Sequence, residues 1–211
     1  MFGTNFGIAP AAIDPDLCDQ IILAGEKFDS VAARVGGSGL DLKTRDSHIS
    51  WFTPEQAEKH NVDIKPFYDT LHNAFSDICH ECGWADVELT KSQAFQYTKY
   101  TGGGFYDWHP DQHKEPYEKG HKDEGLMRKF SFTLLLNDPD EYKGGDFWLE
   151  DTRNGGPHTI WHRVKNLTAP ENHRLKGTMI AFPSYLWHKV YPVTAGERRS
   201  LVCWFLGPPW R

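Results

Sequence analysis

Two hydrophobic rhythms divide this chain. In its N-terminal part apolar residues recur at helical spacing, and from Leu89 onward the repeat shortens toward two. Leu17, Ile21, Ile22 and Leu23 make an apolar face running to about Phe28, and Asp14-Pro15 suits the start of that helix. Gly36, Gly37 and Gly39 interrupt the pattern. Ser47 to Phe52 then reads as a short strand ending before Pro54. Pro66 opens a second helix in which Phe67, Leu71, Phe75 and Ile78 share one face until Gly83 stops it.

Beyond Leu89 the candidate strands are Ser92 to Tyr100, Lys129 to Asn137, Gly145 to Leu149, Gly177 to Pro183, Trp187 to Tyr191 and Arg198 to Leu206. Short β-rich runs joined by glycine and proline turns predict a sandwich or barrel, with the helices covering one outer face. No helix of useful length separates the late strands, which argues against a parallel α/β fold. Neither repeat nor linker is visible. The expectation is one domain over 1–211, helical from about 12 to 83 and β from about 89 to 206. Two polar stretches break the strands: Pro110 to Gly125, and Asp151 to Pro170 with its Gly155-Gly156-Pro157. Loops longer than about 12 residues are commonly lids or disordered surface, and the sequence leaves both open for the first.

Composition narrows the function classes. A chain of 211 residues buries roughly 70% of its extended surface, and eight Trp, eight Tyr and thirteen Phe supply a core without disulfides. The net charge of −6 gives no case for nucleic-acid binding. A basic stretch of His113, Lys114, Lys119, His121 and Lys122 is interrupted by Glu115 and Glu118, as expected of a solvated loop. Cys18, Cys79, Cys82 and Cys203 are too sparse for a disulfide scaffold. Cys79 and Cys82 fall inside a predicted helix with no second pair nearby, so packed thiols are expected rather than zinc. The opening Met-Phe-Gly-Thr-Asn-Phe is neither basic nor strongly apolar, and no run approaches the ~20 apolar residues needed to cross a bilayer. A soluble cytoplasmic protein is expected, in a reducing compartment.

The candidate chemistry lies in His109, Asp111, His188 and Arg198. His109 and Asp111 are two apart, which in extended backbone points both side chains the same way. Two imidazoles and one carboxylate form the facial set that leaves open positions on Fe(II). The plainer alternatives are a surface His-x-Asp among eleven histidines, and a core histidine at 188 packed among Tyr185, Trp187 and Tyr191. Gly102 to Gly104 lack the lysine and helix of a phosphate loop, so they read as a tight turn before the metal strand. There is no His-Glu-x-x-His and no serine nucleophile elbow.

Three segments carry a resemblance. They are Tyr100-Thr101-Gly102-Gly103-Gly104-Phe105-Tyr106-Asp107-Trp108-His109-Pro110-Asp111; Arg128 to Leu136 with Tyr142-Lys143-Gly144-Gly145-Asp146-Phe147; and His188 to Leu201. In this order and spacing they resemble the 2-oxoglutarate and Fe(II)-dependent dioxygenases, in the prolyl 4-hydroxylase-like branch, over nearly the whole chain. The resemblance implies a double-stranded β-helix, a cupin-like jelly roll: mainly β with flanking helices (α+β). It implies Fe(II), 2-oxoglutarate and O2 as cofactors, with ascorbate as an optional accessory. His109, Asp111 and His188 would be the iron ligands, and Arg198, ten residues after His188, would hold the distal carboxylate of 2-oxoglutarate.

Tyr100 and Ser200 would also touch the co-substrate, Tyr106 would border the substrate mouth, and Trp108 would either support His109 or border that mouth. Strand parity places Arg198 and Ser200 on one face and Arg199 on the other, as an exterior ion-pair residue. Thr133 and Leu135 are expected inward, Asp146 is expected to be structural, and Asp107 is either an acceptor for a ligand imidazole or solvated. The implied reaction is hydroxylation of a peptidyl prolyl residue in a peptide or protein, with succinate and CO2 released. The alternatives are a free amino acid or small metabolite as substrate, a non-catalytic jelly-roll binding module, and a zinc hydrolase.

Overall fold

The computed structural model describes residues 6–33, 44–151, 156–159 and 174–210. Helix α1 spans Pro15–Lys27, with the Asp14 carboxylate accepting from the Asp16 N–H at its start. Helix α2 spans Pro54–His60, and α3 spans Lys65–Cys82. Gly83, at φ 73°, ends α3 in the left-handed conformation that glycine adopts without strain. The periodicity predicted α1 and α3 but not α2. That helix has no buried residue, so it leaves no apolar stripe to read, and it forms on the Thr53 cap and Pro54.

The strands are β1 (Gly7–Ala9), β2 (Val31–Ala32), β3 (Arg45–Asp46), β4 (His48–Phe52), β5 (Lys91–Ser92), β6 (Phe95–Tyr100), β7 (Phe105–His109) and β8 (Met127–Leu135). They continue with β9 (Tyr142–Gly144), β10 (Phe147–Asp151), β11 (Gly156–Thr159), β12 (Met179–Pro183), β13 (His188–Val190), β14 (Val193–Gly196) and β15 (Arg198–Gly207). The larger sheet runs β1-β12-β8-β15-β6-β4-β2, with β5 also pairing β15. The smaller runs β11-β10-β13-β7-β3, and β14-β9 form a two-stranded ribbon. Pairing is antiparallel in each. This is the expected jelly-roll arrangement of two facing sheets, which stay open at their edges rather than closing into a barrel.

Alternation within the larger sheet separates two compartments. Phe95, Tyr97, Phe130, Phe132, Leu134, Leu201, Cys203 and Phe205 pack with Ile21, Leu71, Phe75 and Ile78 of α1 and α3. The approach of α1 is close: a Cβ on Gly25 would lie 2.5 Å from the Tyr97 ring. On the opposite face, Tyr100, Ile180 and Phe182 meet Phe147, Leu149 and Val190 of the smaller sheet. A cavity of about 780 Å³ opens between the sheets beside this second cluster.

The glycines Gly36, Gly37 and Gly39 lie outside the described residues, as does most of Asp151 to Pro170; its described part forms β11 against β10. The Pro110 to Gly125 stretch has no helix or strand, yet it is pinned. Tyr117 exchanges backbone hydrogen bonds with Leu126 and Gly125, and buried Asp123 accepts from Gln93 at 2.8 Å and pairs with Lys91 at 2.5 Å. The four cysteines are buried and form no disulfides, with Cys79 and Cys82 inside the helix-side core. Among the described residues no helix is long and apolar enough to cross a membrane.

Candidate metal centre and co-substrate pocket

Strands β7 and β13 bring two histidines together. His188 pairs with His109 in register, but Val190 pairs with Tyr106, so Asp107 and Trp108 together face Lys189 alone. This bulge inserts one extra residue and re-aims the side chains on either side of it. Tyr106 and His109, three apart, therefore share the inner side, their rings stacked at 3.4 Å and 15°. Trp108 brings its ring to within 5.2 Å of the Lys189 ammonium and lines no part of the cavity, whereas Tyr106 does line it. Strict alternation cannot anticipate that split.

Asp111 lies just past the end of β7 and is aimed by its own backbone. Its N–H and that of Gln112 both donate to the Ser184 carbonyl, each at 2.9 Å. Asp111 Oδ1 lies 3.8 Å from His109 Nε2, and Oδ2 lies 3.5 Å from His188 Nε2. Ser131 Oγ donates to Oδ2 at 2.7 Å and contacts Ser184 Oγ at 2.8 Å. The three donor atoms lie within 4.8 Å of one another, and theirs is the one such cluster among the described residues.

These residues fit an iron ion. His109 Nδ1 lies 2.7 Å from the Asp107 carbonyl and His188 Nδ1 lies 3.0 Å from the Leu186 carbonyl. A carbonyl only accepts, so each Nδ1 carries the proton and each Nε2 offers a lone pair toward Asp111. The acceptor at residue 107 is thus the main chain; its carboxylate caps the Trp108 N–H. Burial, then the neighbouring His188, lower the His109 pKa to about 3, leaving the ring neutral and ready to ligate. Burial alone would raise Asp111, but His188, His109 and Arg128 outweigh it together with the Ser131 hydroxyl and hold the carboxyl at about 2.

Arg198 is 1% exposed on the cavity side of β15. Its Nη1 donates to Ser200 Oγ at 3.1 Å and its Nε is buried without a partner. No carboxylate pairs with it among the described residues. A guanidinium withdrawn from water in this way is strongly unfavourable unless an anion arrives. Tyr100, its cross-strand neighbour, sets its ring centre 5.5 Å from the guanidinium carbon. Arg199 faces the other way and pairs with Glu26 at 3.3 Å and with Glu197. Thr133 lines the cavity and Leu135 is buried, while Asp146 accepts from the Tyr191 N–H through its carbonyl and stands apart from the metal cluster.

Arg45 and Arg128 also line the cavity and were not anticipated. Arg128 lies over the Trp204 ring at 3.8 Å and donates to Gln93 and to the Asp111 carbonyl. Arg45 falls on a two-residue strand, too short to show an alternation. The one signal in the sequence was a basic residue two before Ser47, at the same parity as Ile49 and Trp51.

The fold and donor set are those of an iron oxygenase, and the chain belongs to the 2OG-Fe(II) oxygenase superfamily, whose family model matches residues 95–206. The family uses Fe(II), 2-oxoglutarate and O2, and the His-Asp-His site and orphaned arginine fit that set. A PKHD-type hydroxylase of Stenotrophomonas maltophilia (strain R551-3) is 37% identical over 109 residues, which are 52% of this chain and 41% of that protein. The chain therefore spans about two fifths of that relative's length.

Two solved structures share the fold. The viral collagen prolyl hydroxylase of Paramecium Bursaria Chlorella virus-1, in its 2-oxoglutarate complex, aligns with a TM-score of 0.63 at 18% identity, over 97% of each chain. A Trichoplax adhaerens prolyl hydroxylase, bound to a hypoxia inducible factor peptide fragment, aligns with a TM-score of 0.67 at 17% identity, over 95% of this chain and 83% of that one.

Proposed function

We propose that this chain hydroxylates a peptidyl prolyl residue, using Fe(II), O2 and 2-oxoglutarate and releasing succinate and CO2. The observation that carries the reading is the pairing of a compact His-Asp-His donor set with a buried arginine that has no carboxylate partner among the described residues, in one cavity. The hydroxylase relative supports hydroxylation, and the two prolyl hydroxylases that share the fold support a prolyl target. Four cysteines outside any disulfide and a ferrous site suit a reducing compartment, the cytoplasm, with ascorbate as accessory reductant.

His109, Asp111 and His188 would hold the iron, which when bound would supply O2 activation coupled to oxidative decarboxylation of 2-oxoglutarate. Arg198 receives the distal carboxylate of 2-oxoglutarate, and Ser200 keeps the guanidinium in place through the Nη1 contact. Tyr100 closes that end of the pocket. Phe147, Phe182 and Val190 keep water from the donor set, and Tyr106 holds the His109 ring flat against its own. No side chain acts as a nucleophile.

The test is anaerobic titration of the apo-protein with Fe(II) and then 2-oxoglutarate. A visible charge-transfer band should appear, and should decay on admitting O2 as succinate forms. Tight iron binding with neither band nor succinate would overturn the oxygenase reading in favour of a non-catalytic binding module.

A further inference from the structure

The cavity is cationic inside an acidic protein. Arg45, Lys114, Arg128 and Arg198 line it against a single carboxylate, Asp111, while the chain carries −6. Outside the cavity several basic side chains have acidic partners: Lys99 and Arg199 meet Glu26, Lys176 meets Asp19, and Lys91 meets Asp123. Within the cavity three of the four cations are accounted for. Arg198 serves the co-substrate in the proposed function. Arg128 is spent on Gln93, the Asp111 carbonyl and the Trp204 face, and Lys114 is exposed to water.

Arg45 is left over. It is 6% exposed, and its Nε donates to Ser47 Oγ at 2.9 Å. Its guanidinium carbon stands 4.4 Å from the centre of the Tyr106 ring, the ring that also stacks on His109. Ser47 satisfies one of five N–H donors, the tyrosine face offers no negative charge, and no carboxylate among the described residues pairs with Arg45, so its charge is open to an anion in the cavity. The guanidinium is one aromatic ring away from a metal ligand. Ile49, Trp51, Val31 and Ala32 provide an apolar wall on the same part of the cavity.

We infer that the prime substrate carries a carboxylate that Arg45 binds, with the apolar part of the substrate lying on the Ile49 and Trp51 wall. Such a carboxylate has two sources: an acidic side chain beside the hydroxylated residue of a peptide, or the free α-carboxylate of an amino acid or C-terminal residue. The inference rests on the oxygenase reading above and adds the charge of its substrate. A planar guanidinium distinguishes a carboxylate from its amide isostere by charge and by two-pronged geometry.

The experiment uses the anaerobic Fe(II) and 2-oxoglutarate complex, so that Arg198 is already occupied. It is titrated with two matched pairs: N-acetyl-L-proline against N-acetyl-L-prolinamide, and acetyl-Gly-Pro-Glu-amide against acetyl-Gly-Pro-Gln-amide. Perturbation of the visible band and of tryptophan emission reports Kd. In the wild type at least one carboxylate should bind about tenfold or more tightly than its amide. The pair that shows this identifies the source.

Arg45→Gln should bring that ratio to within about twofold, and Arg45→Lys should keep part of it. Because each ratio is taken within one protein, loss of folded material or iron cancels. Equal binding of acid and amide in both pairs, or a preference that survives in Arg45→Gln, would overturn the inference and leave the oxygenase reading standing. Absence of the band in the wild type would overturn both.

Discussion

Replacing Arg198 with methionine should move two properties in opposite directions. In the wild type its guanidinium is 1% exposed, makes one side-chain hydrogen bond to Ser200 and leaves Nε unpartnered. Charge-assisted hydrogen bonds contribute roughly 1.5–3 kcal/mol each, so losing a two-pronged contact removes about 3 kcal/mol or more of 2-oxoglutarate binding. The Kd read from the visible band should rise by about a hundredfold or more.

The ligand-free protein should respond the other way. An unpaired buried cation is exchanged for an apolar side chain of similar length, a change expected to add roughly 1–4 kcal/mol of stability. Urea unfolding of ligand-free protein measures this directly. Arg199→Met is the control: its partners Glu26 and Glu197 lie at the partly exposed outer face, so it should lose only about 0–1 kcal/mol and leave the Kd unchanged. An Arg198→Met protein that is clearly less stable without ligand and binds 2-oxoglutarate normally would refute the argument that this arginine is held ready for an anion.

The geometry sets three further outcomes. Ser131→Ala removes the donor at 2.7 Å from Asp111 Oδ2, and Fe(II) affinity measured by competition with a chelator should fall about tenfold; unchanged affinity would mean that Ser184 and the backbone suffice to hold the carboxylate. Gly145→Ala places a Cβ 2.8 Å from Arg198 Cδ at φ 65°, so it should cost about 1–3 kcal/mol in unfolding and also weaken 2-oxoglutarate binding; a loss of stability with co-substrate Kd intact would separate the turn from the pocket. Burial works to raise the Glu26 pKa, but hydrogen bonds from Lys99, Tyr97 and Arg199 outweigh it and set the carboxyl below its ordinary value. A depressed folded pKa adds stability above the unfolded value of about 4.3 that is lost as pH falls through the folded one. Glu26→Gln should therefore flatten the acid side of the stability profile, and an unaltered slope there would discount this cluster.

Much of this architecture was legible because alternation survives wherever both faces of a strand are buried by different neighbours. In β15 the pocket side reads Arg198, Ser200, Val202, Trp204 and the helix side Leu201, Cys203, Phe205, so parity put Arg198 and Arg199 on opposite faces and the spacing from His188 chose Arg198 as the inner one. The bulge in β7 was not legible, since one extra residue in a pairing leaves no compositional mark. It is why Tyr106 faces inward with His109 while Trp108 does not. Asp111 obeys a similar rule: its aim comes from the Ser184 carbonyl, 73 positions later, rather than from the pleat of its own strand. Short pieces such as β1, β3, β9 and β14 escape pattern reading because two to four residues hold too few repeats. Arg45 escaped with them.

The two-sided character of β6 and β15 has a consequence for how such a chain diversifies. Helix-side positions such as Phe95, Tyr97, Leu201 and Cys203 carry the packing, and neighbouring positions such as Gln96, Thr98, Val202 and Trp204 face the cavity. Substitutions at the second set change what the cavity admits while the hydrophobic layer behind it stays intact, so the ligand range of this scaffold can drift one residue at a time without passing through unfolded intermediates. A library confined to those four positions would sample new substrates on a folded background.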